Sequence, residues 1–291
     1  MPGAGCRRHD GPVHVRTQAG PLDVHEAGPP DGPPVLLLHG FPQGADCWDA
    51  VVPALTAAGY RTVAPDQRGY SPGARPTGRS AYGLSAVTAD AVAVIDERCG
   101  GRAHVVGHDW GAAVAWRLGA RHPERVRTLT AVSVPPPEVH LRSMLTSRQA
   151  FASWYMAALQ VPRVPEWLLG AGDRPFSRLL AGALRSSGQT RERAERDARR
   201  LADPAALAGA IAWYRGILTE RPSPPVPVTV PTLFVWSDGD TAITRQAIEL
   251  AHTAVTGPYR YAELRGVSHW IPEEAPDKLA ALLLEHLPSA G

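Results

Sequence analysis

The stretch "VVGHDWGAAVAW", Val105 to Trp116, decides the fold. It opens on apolar residues, turns between Gly107 and Gly111, and continues in small residues to Ala120. A short apolar run stopped by glycine marks a strand buried on both faces, and the small-residue run after it marks a helix over Trp110 to Ala120. Glycines on either side of the turn let strand and helix approach closely. The residue at the apex, Asp109, is held in a strained conformation and projects over the C-terminal edge of the sheet, where open α/β sheets place their sites.

Working outward, the same alternation recurs. Val13 to Gly28 reads as a hairpin around a Gly-Pro turn, and "PVLLLHG" (Pro34 to Gly40) as a second buried strand. Asp46 is placed to cap the helix that carries Val51, Val52, Leu55 and Ala58. "YRTVAPD" (Tyr60 to Asp66) is a strand, Ser85 to Glu97 a helix, "AHVVGHD" the elbow strand and "RTLTAVSV" (Arg127 to Val134) the next. From Pro135 to Pro225 only helices are expected, and within them "RERAERDARR" (Arg191 to Arg200) reads as a solvated charged face. After the Pro-rich connector Glu220 to Pro231 the alternation resumes: strand "TLFVWSD", helix Arg245 to Ala254, strand "RYAEL" and helix "APDKLAALLLEHL". The fold class is therefore α/β, a mostly parallel central sheet flanked by helices and interrupted by a helical insertion. The expected division is a core over 1–136 and 226–291 with the insertion over 137–225.

Bulk properties exclude several classes. The 291 residues carry 20% charged residues and a formal charge of +2, which gives no electrostatic case for nucleic acid or an anionic membrane. No apolar run reaches the ~18 residues of a membrane span. Cys6, Cys47 and Cys99 are far apart and form no CxxC or Cys/His set, so free thiols in a reducing cytoplasm are expected and no metal. "MPGAGCRRHDGP" lacks the apolar centre of a secretory leader. His39 and His108 are expected to be turn and packing residues. Trp154, Trp167, Trp213 and Trp236 are expected in the core or in a pocket wall.

An elbow implies partners. The pattern Gly107-His108-Asp109-Trp110-Gly111 places aspartate where G-x-S-x-G places serine, and that arrangement carries its triad in the order nucleophile, acid, histidine. "FVWSDGDTAI" supplies Asp238 and Asp240 at a strand end, and "LRGVSHW" supplies His269 further on. Asp240 is preferred as the acid because Asp238, nearer the strand, is suited to organising the turn; spacing leaves both open. The backbone N–H groups of Phe41, in "HGFP", and Trp110 form a candidate oxyanion hole.

In these motifs, together with "DQRGYSPGARP" (Asp66 to Pro76), the chain resembles the aspartate-nucleophile branch of the α/β-hydrolase superfamily, which contains epoxide hydrolases and haloalkane dehalogenases. The resemblance covers nearly the whole chain, and the insertion takes the place of the family's cap. It implies that Asp109 attacks a saturated carbon to form an alkyl ester, which water activated by His269 then hydrolyses. It implies a small apolar substrate plus water, no cofactor, and a monomer or homodimer. For epoxide opening the family uses two cap tyrosines. Tyr214, in "AWYRG", matches one. In the register set by Gln160 and Pro162 the second falls near Ala158, so either Tyr155, about one turn earlier, substitutes or the chain has one donor. Phe41 and Tyr214 favour an epoxide over a halide; a dehalogenase, a cyclase or a binding descendant of the fold are the alternatives. A serine esterase is disfavoured, since the elbow holds no serine.

Overall fold

The computed structural model describes residues 11–169, 177–220 and 224–288. Cys6 and part of the Pro-rich connector lie outside them. Eight strands form one sheet: β1 (Val13–Thr17), β2 (Gly20–Ala27), β3 (Pro34–Leu38), β4 (Arg61–Pro65), β5 (Ala103–His108), β6 (Val126–Val132), β7 (Thr232–Ser237) and β8 (Tyr259–Leu264). Their order is β1-β2-β4-β3-β5-β6-β7-β8. The β1–β2 and β2–β4 pairs are antiparallel and the rest parallel. The chain leaves β3 toward β4 on one side and returns as β5 on the other. This reversal opens a crevice at the C-terminal ends of β3 and β5, and the Phe41 and Asp109 turns follow those two ends.

Strand pleating divides the core. Leu36 and Leu38 join one cluster, with α2 (Leu84–Arg98) and α3 (Trp110–Arg121), while Val35 and Leu37 join the other, with α1 (Val52–Ala57) and the closing helix. Between β6 and β7 the described residues are helical: α4 (Pro137–Thr146), α5 (Gln149–Ala152), α6 (Trp154–Ala158), α7 (Val164–Leu169), α8 (Ser177–Ser186), α9 (Arg191–Arg200) and α10 (Pro204–Gly216). After β7 come α11 (Arg245–Ile248), α12 (Ile271–Glu274) and α13 (Pro276–His286). Among the described residues no helix is long and apolar enough to cross a membrane. Cys47 and Cys99 are buried free thiols.

Four sequence expectations are corrected. The helix expected over Arg245 to Ala254 is broken into α11 and a 3₁₀ turn, Ala251–Ala254. Asp46 does not cap α1: it lies inside the 3₁₀ turn Ala45–Trp48, whose first amide donates to Asp66 Oδ1 (2.8 Å) from the end of β4. Asp46 instead takes a two-oxygen contact from Arg200 Nη2 (2.7 Å). Third, α9 is not simply a solvated face. Ala194 and Asp197 are buried, and Arg196 reaches Asp197 (2.8 Å) and Glu273 (2.7 Å), so the charged helix clamps the insertion onto the core. Fourth, Trp213 and Trp236 are buried as expected, but Trp154 and Trp167 are exposed at 69% and 56%.

Candidate active site

The elbow follows from the close approach that its glycines allow. A Cβ at Gly111 would overlap the Leu38 carbonyl oxygen, and one at Gly107 the Gly111 carbonyl oxygen; both contacts are with backbone that cannot step aside. Asp109 itself sits at φ 54°, ψ −119°, a region that side chains other than glycine rarely occupy. Packing on both sides sustains this strain, and it aims the carboxylate at the crevice.

Three groups meet there. Asp109 Oδ1 accepts the Phe41 N–H (2.8 Å), and its Oδ2 lies 3.5 Å from His269 Nε2, an ion-pair contact longer than a good hydrogen bond. His269 Nδ1–H donates to Asp240 Oδ2 (2.7 Å). The other Asp240 oxygen accepts the Ala242 and Ile243 amides, each at 2.8 Å. Asp238, by contrast, accepts the Gly266 N–H (2.7 Å) and organises the turn.

The electrostatics follow from burial and charge together. Burial works against the His269 imidazolium, but Asp240 and Asp109 outweigh it and raise its pKa to about 10. Burial also works against the Asp109 carboxylate, yet the His269 contacts prevail and lower its pKa. The resting site thus sets an Asp109 carboxylate against a His269 imidazolium. His108 is held neutral, at about 4, first by burial and then by the His269 charge. Its Nε2–H donates to the His269 carbonyl (2.9 Å), and the Ser133 hydroxyl donates to the same oxygen (3.0 Å).

Two tyrosines of the insertion close the site. Tyr214, on α10, packs edge-on against Phe41 (5.3 Å between centroids), Trp110 (5.1 Å) and Tyr155 (5.9 Å). These edge contacts set its ring between Trp110, the neighbour of Asp109, and Tyr155. Burial, reinforced by neighbouring negative charge including that of Asp109, keeps both phenols protonated well above their ordinary range. Ala158 is on the exposed face of α6, while Tyr155 turns inward with buried Leu159 four residues on. The residue near Ala158 is therefore not a site residue; Tyr155 stands at the site.

"DQRGYS" is structural. Arg68 makes a two-point ion pair with Asp90 of α2 (2.7 Å each), both buried, and Gln67 is bonded to His39. Sequence reasoning missed Ser133, Gln149 and Glu273, which support the site through backbone or neighbouring loops and carry no motif of their own. His140, half-buried on α4 with its Nδ1 unpartnered and its pKa lowered to about 4 by burial, was missed for the same reason.

The sequence profile of the Alpha/beta hydrolase family matches residues 35–282. Epoxide hydrolase A of Mycobacterium tuberculosis is 33% identical over 94% of this chain and 96% of its own length. The AB hydrolase superfamily protein YfhM of Bacillus subtilis is 35% identical over the same shares. Among solved structures, Epoxide Hydrolase A from Mycobacterium thermoresistibile superposes with a TM-score of 0.79 at 29% identity, covering 97% of this chain and 98% of that one. A structure described among novel epoxide hydrolases from metagenomes of hot environments gives 0.82 at 26% identity, covering 95% and 98%. The chain belongs to the alpha/beta hydrolase family and is a hydrolase.

Proposed function

We propose that the chain opens epoxides through a covalent ester on Asp109, with 137–225 acting as a cap over the core of 1–136 and 226–291. The observation that carries this reading is the pair of protonated tyrosines, Tyr155 and Tyr214, packed edge to face with each other and, through Tyr214, with Trp110 beside Asp109. The relatives named as epoxide hydrolases support it.

Asp109 Oδ2, the oxygen not held by the Phe41 N–H, attacks an epoxide carbon, and the carbon–oxygen bond of the ring breaks. The alkoxide takes a proton from a tyrosine, which avoids a free anion in a buried site. The His269 imidazolium restores that proton and becomes neutral. Esterification removes the Asp109 charge, and with it part of what held His269 protonated, so the same step that makes the ester prepares its base. His269 then takes a proton from water while the hydroxide attacks Asp109 Cγ. The new oxyanion forms on Oδ1, already bonded to the Phe41 N–H, beside the Trp110 amide. Collapse releases the diol, whose departing oxygen takes the proton of the added hydroxyl; Asp109 returns as carboxylate and His269 as imidazolium.

The test is intact-protein mass spectrometry of His269→Gln with a panel of epoxides and haloalkanes. An epoxide adduct that maps to Asp109 and is lost in Asp109→Asn is expected. Adducts from chlorides or bromides alone would establish a dehalogenase instead, and no adduct from any substrate would reject covalent catalysis.

A further inference from the structure

Gln149, at the start of α5, is fully buried and lies outside the triad. Its amide uses its full hydrogen-bonding capacity between two catalytic elements. On the core side, Nε2 donates to the Ala242 carbonyl (2.7 Å), and Oε1 accepts both the Thr244 N–H (2.8 Å) and the Thr244 hydroxyl (3.0 Å). Ala242 is the residue whose N–H holds Asp240 Oδ1. On the insertion side, Nε2 also donates to Ser153 Oγ (2.9 Å), and the Gln149 carbonyl accepts the Ser153 N–H (2.8 Å). Ser153 is the N-cap residue of α6, the helix that carries Tyr155.

These contacts close a ring around the site. It runs by hydrogen bonds from His269 to Asp240, through Ala242 to Gln149, and through Ser153 to α6 and Tyr155, then by ring contacts through Tyr214 and Trp110 back to Asp109. A loop can hold a carboxylate within a few tenths of an ångström only if the loop is itself held, and Asp240 sits on a loop whose outer side is fixed by one side chain of the insertion. We propose that Gln149 is a positioning residue that couples the loop of Asp240 to the helix of Tyr155, so that the base and the proton donor are aligned by one buried amide. The assignment of Tyr155 as donor rests on the epoxide reading; the control of Asp240 and His269 does not.

Two variants and two readouts separate these. Gln149→Leu keeps the bulk and removes all four side-chain hydrogen bonds. Ser153→Ala removes only the link to α6. In the protein without substrate, the His269 imidazole is followed by NMR against pH, with Asp109, Asp240 and His108 as the titratable groups facing it. The pKa of His269 is expected to fall by about one unit in Gln149→Leu, because a loosened Asp240 stabilises the imidazolium less, and to be unchanged in Ser153→Ala. In single-turnover reactions with an epoxide, Gln149→Leu is expected to slow both formation and breakdown of the Asp109 ester by roughly tenfold or more. Ser153→Ala is expected to slow formation alone.

An unchanged His269 pKa, with both rates within twofold of the parent, would overturn the proposal even if the melting temperature falls. If Gln149→Leu does not fold, Ser153→Ala decides: equal loss in both half-reactions, or in neither, overturns it. A parent protein that forms no ester would reject the epoxide reading, and the NMR arm would still judge Gln149.

Discussion

At the residue scale, the chemistry depends on which oxygen of Asp109 is free. Phe41 N–H occupies Oδ1, and the proposed mechanism therefore has Oδ2 attack and Oδ1 carry the later negative charge. The same scale separates the two tyrosines. Tyr214 packs against Phe41 and Trp110, whereas Tyr155 packs against Tyr214. In the proposed mechanism both hydroxyls serve one alkoxide, so Tyr214→Phe is expected to slow ester formation by about tenfold or more and to leave ester hydrolysis unchanged, as is Tyr155→Phe. Stopped-flow measurement of the two half-reactions checks this; equal loss in both would remove the tyrosines from the ring-opening step. The choice between Asp238 and Asp240 also belongs here. Two residues of spacing could not decide it, and the hydrogen bonds separate them: one acid faces His269 and the other a turn amide.

At the element scale, the site is an alignment of loops, and buried polar contacts hold the loops. The segment 66–76 is fixed by Arg68 and Asp90, each under 5% exposed, so removing one partner leaves an uncompensated buried charge. Asp90→Ala is expected to cost about 3–5 kcal/mol of stability, measured as a lower denaturant midpoint with an unchanged slope. A cost within the range of surface substitutions would show that Arg68 finds another partner. Glu273 plays a related part. It takes Gln43 Nε2 (2.7 Å) on one oxygen and Arg196 (2.7 Å) on the other, tying the Phe41 turn and the segment after His269 to α9. This is why "RERAERDARR" misled as a solvated face: its periodicity shows that the helix is amphipathic, but a buried arginine–carboxylate cluster and an exposed one have the same composition.

At the scale of the whole molecule, two opposed proton linkages set the pH range of stability. Burial lowers the pKa of His39, His104, His108, His140 and His286 from 6.5 in the unfolded chain, to about 4 for His104, His108 and His140. Below pH 6.5 the unfolded chain therefore binds more protons, and stability falls as the pH drops. His269 has the opposite sign. Its folded pKa is raised to about 10, so its contribution is complete below 6.5 and is lost as pH rises toward 10. Maximum stability is expected near pH 6.5–7. Between pH 7 and 8.5, below the range in which Cys47 and Cys99 ionise in the unfolded chain, the alkaline decline is expected to be smaller in His269→Gln, where only His25 among the described residues has a raised histidine pKa. Urea midpoints from pH 5 to 8.5 for both proteins check this, and an equal decline in the variant would show that His269 does not carry it.

The sequence by itself determined the alternation of strands and helices, the place of the insertion, the elbow and the order of Asp109, the two acids and His269. Those features are local: apolar runs, glycine spacing and motif order are written in neighbouring residues. Only the tertiary structure decided which acid meets the histidine and that Tyr155 turns inward while Ala158 faces solvent. It also decided that α9 is a clamp and that Gln149 joins the loop of Asp240 to α6. These depend on residues tens to hundreds of positions apart being brought within 3 Å, and a buried polar contact of that kind leaves no periodic trace in the chain.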